Sequence, residues 1–316
     1  MSTIHTPAPA APLLTEAAPR FLAFATVELG FAPQTIAKYG ECLRQVARWV
    51  GDLPVTDLSK QHVLAIKAVM LSRNHSAGRQ VCILAAVKRL LMFCQQELGL
   101  PVMQPDLIVL PKRPRREVVY LNTAEVERFL SSIEICNRDE TPFEAGLRFR
   151  TLVEVLLGTA MRISEALSLN RQDVDCVNRE AVVIGKGNKQ RTVFFTERSL
   201  LWIKRYLDLR RDAHPALFVT QGGRSRLSRT DVWRPFVRCR QLAQIQKRVT
   251  PHLLRHTAAT QLLLNGCPIG HIKEILGHER LDTTCRYYLG LDRRAAKQAH
   301  QKYLVYAGDP ALAPAL

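Results

Sequence analysis

Glu180-Ala-Val-Val-Ile-Gly-Lys-Gly-Asn-Lys-Gln-Arg-Thr-Val-Phe-Phe195 decides how this chain is built. Two runs of β-branched or aromatic residues flank a Gly-Lys-Gly-Asn-Lys turn, which is the pattern of a β-hairpin. Around it the periodicity is helical. Downstream it predicts helices near 197–212, 229–244, 251–265, 268–276 and 281–287, then a last one at about 292–304. Upstream it predicts helices near 123–134 and 142–159, the first opened by Asn122-Thr-Ala-Glu125, a start signal with an acidic first turn. The fold class expected is therefore mainly α with a small β-sheet, the hairpin sitting in an α+β second domain. No internal repeat of fixed period is present.

The first hundred residues are helical throughout. Phe21, Leu22, Phe24, Ala25 and Leu29 recur at helical spacing, as do Ile36, Tyr39, Leu43, Val46 and Val50. Gly30, Gly51-Asp52 and Asn74 punctuate four helices expected near 15–29, 33–49, 59–73 and 76–98. The stretch 101–117 breaks this pattern with prolines at 101, 105, 111 and 114 and the basic run Lys112-Arg-Pro-Arg-Arg116. Prolines suppress helix and favour an extended linker. The expected division is a flexible Pro/Ala-rich leader at 1–14, a helical domain at 15–100, and a linker at 101–117. A second domain follows at 118–303, its terminal helix starting at about 292, with a tail at 304–316.

Charge narrows the function. The chain has 316 residues, with 45 Lys and Arg against 28 Asp and Glu, a net of +17. Residues 1–111 hold 10 basic and 7 acidic side chains, so most of the excess lies in the remainder. Such a balance suits a polyanion such as nucleic acid. The eight cysteines (42, 82, 94, 136, 176, 239, 267, 285) form no Cys-x-x-Cys pair. They read as reduced thiols and not as a zinc site or a disulfide framework. No apolar run reaches the ~18–20 residues that a bilayer span needs, and the start lacks the basic flank and apolar core of a secretory signal. A cytoplasmic, nucleoid-associated protein is expected.

Four clusters carry the chemistry. In Thr250-Pro-His252-Leu-Leu-Arg255-His-Thr257, Thr250 is a good N-cap and Pro251 a good first helical residue. His252 and Arg255 then share a face at a helix N-terminus, a phosphate-binding setting. In Gly158-Thr-Ala-Met-Arg162-Ile-Ser-Glu165, an arginine at a helix start lies among apolar residues. Arg162 is expected half-buried, held by Glu165, and offering a fork of donors matched to phosphate. The hairpin turn contributes Lys186 and Lys189. Gly277-His278 and Tyr287-Tyr288 complete the set. Each cluster taken alone has an ordinary surface or packing explanation.

In order these residues read Arg, Lys, His-x-x-Arg, His, Tyr. The chain resembles the tyrosine recombinase (phage integrase) family, particularly its Xer-like members, from about Thr15 to Lys302. The spacings fit: 24 residues from Arg162 to Lys186, 26 from His252 to His278, and 9 more to Tyr287. Gly-Lys-Gly-Asn-Lys and Leu-Gly-His are also phrases of that family. The resemblance implies an N-terminal core-binding domain and a C-terminal catalytic domain clamping duplex DNA. It also implies a C-terminal helix docked into a neighbouring protomer through Leu304, Val305 and Tyr306, although packing onto its own domain fits the same pattern.

The implied reaction is site-specific recombination through a 3′-phosphotyrosyl intermediate, with no cofactor, metal or ATP. Tyr287 is the implied nucleophile and Lys186 the general acid. Arg162 and Arg255 would clamp the phosphate oxygens, with hydrogen bonds from His252 and His278 and proton transfer assisted by His252. Spacing alone prefers Tyr287 over Tyr288 and Lys186 over Lys189. Glu165 is expected to be structural support, and His256 and His271 structural or surface residues. The expected partners are duplex DNA with inverted-repeat half-sites and a tetramer on two DNA sites, formed with its own copies or a related recombinase. A type IB topoisomerase-like relaxase and a catalytically inactive DNA-binding accessory factor are the rival functions.

Overall fold

In the computed structural model of the chain, residues 11–112, 119–137, 139–141, 143–185 and 189–277 are described. The chain divides into two units, residues 1–116 and 117–316.

The first unit is built from helices α1 (Leu14–Val27), α2 (Pro33–Val50), α3 (Lys60–Ser72) and α4 (Ala77–Gln96). Gly30 and Gly51 supply the left-handed turns after α1 and α2, with φ of 60° and 88°. Ser76 caps α4, its hydroxyl accepting from the Arg79 N–H at 3.3 Å. Phe21, Ile66, Ile83, Val87 and Leu90 are buried in the shared core.

Two boundaries differ from the sequence expectation. The end of the leader is ordered: the Leu14 N–H donates to the Leu53 carbonyl and the Val55 N–H to the Pro12 carbonyl, both at 3.0 Å. Leu14 is buried, and its side chain draws the segment into the core. The first part of the expected linker likewise packs onto this unit, because Ile108 is buried there and Asp106 pairs with Lys88 at 2.7 Å.

The second unit contains α5 (Thr123–Ser131), α6 (Glu144–Thr159), α7 (Ile163–Ser168), strands β1 (Glu180–Ile184) and β2 (Gln190–Phe194), then α8 (Glu197–Leu209), α9 (Arg229–Leu242), α10 (Pro251–Leu264) and α11 (Ile269–Leu276). The fold is thus mostly helical with a two-stranded antiparallel sheet, in which Val182 faces Thr192. Ala181, Val183 and Val193 point into the core, while Val182, Ile184 and Phe194 point out, as the period of two requires. Helix α6 is buried on nearly every side, through Leu147, Phe149, Leu152, Val153 and Leu156, so it forms the centre against which α8 and α10 pack.

Helix α8 stops at Leu209, short of the expected 212. Arg210 turns extended there, and its buried guanidinium binds Asp212 and the carbonyls of Ala216 and Leu217. Among the described residues no helix is long and apolar enough to cross a membrane. The helices expected at 281–287 and 292–304, and the tail, lie outside the described residues.

Candidate active site

Helix α6 ends at Ala160, whose left-handed backbone (φ 52°) reverses the chain. The reversal places Arg162 at the N-cap of α7. The Arg162 N–H donates to Glu165 Oε2 at 2.8 Å, and its Nη1 donates to Glu165 Oε1 at 2.7 Å. Glu165 is 2 % exposed and the Arg162 side chain 33 %, so a buried carboxylate orients a half-buried guanidinium. Burial by itself would raise the pKa of Glu165. The Arg162 N–H and the guanidiniums of Arg191 and Arg162 outweigh it and hold the carboxyl below its ordinary range.

On α10, Thr250 Oγ1 accepts from the Leu253 N–H at 3.1 Å and Pro251 occupies the first turn, as the residue types suggested. Arg255 is 4 % exposed. Its Nη1 donates to the Ala160 carbonyl at 2.9 Å and its Nη2 to the Leu276 carbonyl. His252 stands one turn before it and keeps part of its surface open to solvent. Its pKa is lowered first by burial of the ring, then by the positive charges of Arg255 and Arg162.

Arg162 and Arg255 therefore meet at one place, the C-terminal end of α11. Arg255 reaches the Leu276 carbonyl there, and Arg162 Nη2 lies 3.4 Å from the next carbonyl, that of Gly277. Ala160, Ala258, Ala259, Ile272 and Leu276 form a small core that fixes α11 against α10 and the end of α6. A helix C-terminus carries partial negative charge, so cations belong there.

The chain's similarity to known proteins follows the same residues. The profile described as "Phage integrase family" matches residues 120–294, more than half of the chain. The chain belongs to the phage integrase family. This recombinase is 32 % identical over 287 residues to the tyrosine recombinase XerD of Mycobacterium tuberculosis, covering 85 % of this chain and 91 % of that protein. It is 27 % identical over 276 residues to XerD of Staphylococcus epidermidis, covering 84 % and 91 %. Its fold is similar to that of the XerH site-specific recombinase bound to palindromic difH substrate (TM-score 0.73, 20 % identity, 92 % and 99 % covered). It is also similar to the Tn1549 transposon integrase (TM-score 0.75, 18 % identity, 92 % and 99 % covered). The recombinase is an enzyme of DNA strand transfer.

Of the six site residues expected in the recombinase, Arg162, His252 and Arg255 are described and gather at this one place. Lys186, His278 and Tyr287 lie outside the described residues. The chain nevertheless enters two of those segments beside Arg162. A Cβ on Gly185 would stand 3.9 Å from Arg162 Nη1 and 3.7 Å from Glu165 Oε1, and Gly277 immediately precedes His278.

Two residues set aside or passed over in the sequence also join the site. The His256 ring, expected to be structural or surface, meets His252 with Nε2 atoms 3.0 Å apart and ring centroids 4.3 Å apart. Burial, then the neighbouring His252 and Arg255, pushes the His256 pKa down to about 4. The one-turn spacing from His252 was the available signal. Arg191, on β2, donates to Glu165 Oε2 at 2.8 Å. Among the described residues, no group of three or more His, Cys, Asp or Glu is placed to hold a metal ion.

Proposed function

We propose that the recombinase cleaves and rejoins duplex DNA at specific sites through Tyr287, with Arg162, Lys186, His252, Arg255 and His278 as the other catalytic residues. The Tyr287 oxygen attacks the scissile phosphorus, passing its proton to His252. The bond from phosphorus to the 5′-oxygen breaks as Lys186 supplies a proton to that oxygen. A 3′-phosphotyrosyl link and a free 5′-hydroxyl result. A second 5′-hydroxyl then gives its proton to Lys186 and attacks that phosphorus. The bond to the Tyr287 oxygen breaks as His252 returns its proton to the phenol. The diester is restored, so neither ATP nor a metal enters the balance.

The pentacoordinate phosphate carries more negative charge than the diester. Fixed guanidiniums and imidazole donors therefore favour the transition state over the ground state. The observation that supports this reading most is the convergence of Arg162 and Arg255, from separate helices, on the backbone that leads into His278.

In this reading each protomer binds one half of an inverted repeat, and four protomers on two DNA sites form the assembly, in the cytoplasm at the nucleoid. A closed ring of heterologous contacts has that stoichiometry. The test begins with selection of bound duplexes from a random pool. The selected site is then rebuilt as a nicked suicide duplex, from which the released end diffuses away. A covalent protein–DNA adduct is expected from the parent and none from Tyr287→Phe. An adduct that persists in Tyr287→Phe places the nucleophile elsewhere, and relaxation of a site-free plasmid without recombinant products points to a relaxase.

A further inference from the structure

Arg191 lies in the hairpin just past Lys186 and Lys189, where the residue pattern assigned it no chemical role, yet only 12 % of its side chain is exposed. One terminal nitrogen, Nη2, donates to Glu165 Oε2 at 2.8 Å. The other, Nη1, donates to the Ile275 carbonyl. A single guanidinium thus joins three elements: the strand β2, the first turn of α7 and the last turn of α11.

Two features mark this as more than a surface pair. The first is charge. A buried Glu165 paired with Arg162 alone would make a neutral couple, and Arg162 would meet a phosphate with its charge largely cancelled. With Arg191 on the same carboxylate, the group carries a net positive charge. The second is space. Gly277 has φ +60°, and a Cβ there would stand 2.5 Å from Arg191 Cδ and 2.7 Å from its Nε. The backbone that enters the His278 segment therefore passes directly over the Arg191 side chain. Ile275, Leu276 and Gly277 offer three consecutive carbonyls, approached by Arg191, Arg255 and Arg162 in turn.

We propose that Arg191 is a positioning residue for strand transfer. Through Glu165 it sets the orientation and effective charge of the Arg162 guanidinium. Through the Ile275 carbonyl it ties that guanidinium to the end of α11. The proposal rests on the reading that Arg162 holds the scissile phosphate.

The experiment measures single-turnover adduct formation on the selected suicide duplex, with duplex affinity from fluorescence anisotropy and folding from a thermal melt. Arg191→Met keeps most of the volume and removes both donors. Its cleavage rate is expected to fall about thirtyfold or more while the dissociation constant moves less than about threefold, the signature of an interaction made mainly in the transition state. Arg191→Lys restores the charge without the fork and should cleave about three- to tenfold more slowly than the parent. In a Glu165→Gln background, Arg191→Met should slow cleavage by less than about a further threefold, because the two act as one unit. A merely structural arginine would give independent, multiplying effects.

A folded Arg191→Met protein that cleaves within about threefold of the parent overturns the proposal, as does full multiplicativity in the Glu165→Gln background. If Arg191→Met does not fold, Arg191→Lys decides: a slower rate at an unchanged melting temperature supports the role, and a parental rate refutes it. Arg162→Lys is measured alongside. If it cleaves like the parent, the phosphate site itself is misplaced and the proposal falls with it. If Arg162→Lys is inactive and Arg191→Met is not impaired, only the role of Arg191 fails.

Discussion

Replacing Glu165 with glutamine alters a single atom of the side chain and almost none of its volume, so its effect isolates charge. Both carboxylate oxygens are engaged, Oε1 by Arg162 Nη1 at 2.7 Å and Oε2 by the Arg162 N–H and Arg191 Nη2, each at 2.8 Å. The amide keeps one acceptor and turns an NH2 group toward a guanidinium. Two cations then face each other with no counter-ion among the described residues. Removing one partner of a buried ion pair costs roughly 3–5 kcal/mol. Arg162, one-third exposed, can recruit water, so the lower end applies, about 3 kcal/mol.

Unfolding of the second unit is best followed in urea by tryptophan fluorescence in a Trp49→Phe background, which leaves Trp202 and Trp233 as reporters. With a slope of about 3 kcal/mol per molar, the midpoint should fall by about 1 M. The pH dependence has a fixed sign. The carboxyl is held below its ordinary range when folded, so its contribution is present above the unfolded value of roughly 4.5 and is lost as the pH drops through the folded one. The gap between parent and variant should therefore close on acidification. A midpoint shift below about 0.3 M at pH 7, or a gap that widens in acid, would refute the claim that Glu165 is the charged keystone of this site.

Gly277→Ala introduces a left-handed alanine and a Cβ against Arg191, so stability should drop by about 1–2 kcal/mol from the backbone alone, with cleavage slowed in addition. A parental melting curve and rate would show that Arg191 does not need this close approach. His256 titrates at about 4 in the folded chain against roughly 6.5 when unfolded, so its stabilising effect is complete above 6.5 and lost between 6.5 and 4. On moving from pH 7 to pH 4.5, the parent should lose about 2 kcal/mol more stability than His256→Asn, measured by urea titration at both values. Equal losses would rule out the depressed imidazole.

The sequence was legible where local rules and tertiary demands agree. Thr250-Pro251 caps α10, Asn122 caps α5, and the alternation of Ala181 and Val183 with Val182 and Ile184 sets the hairpin's faces. The pairing of Arg162 with Glu165 was also legible, because it lies within one helical turn. Arg191 was not. Its two partners are 26 and 84 residues away, and no periodicity encodes a contact between a strand and the end of a distant helix. The contact of His256 with His252 had a signal in their one-turn spacing, but spacing alone does not separate a ring contact from two side chains that pack apart. The leader and linker boundaries moved because single apolar residues, Leu14 and Ile108, carried their Pro-rich neighbours into a core.

The choice of partners at the end of α11 also has a physical logic. A guanidinium must be held still to stabilise a transition state, and the usual holder is a carboxylate, which cancels the charge it orients. A backbone carbonyl orients the same side chain through a dipole and leaves the charge intact. At this site the carbonyls of Ala160, Ile275, Leu276 and Gly277 do most of the holding. Among the described residues hydrogen-bonded there, three guanidiniums meet one carboxylate, leaving a net of two positive charges beside the backbone that leads to His278. If these arginines hold the phosphate as proposed, a further acid placed beside them should raise the melting temperature yet slow adduct formation on the suicide duplex, because rigidity would then be gained at the expense of positive field.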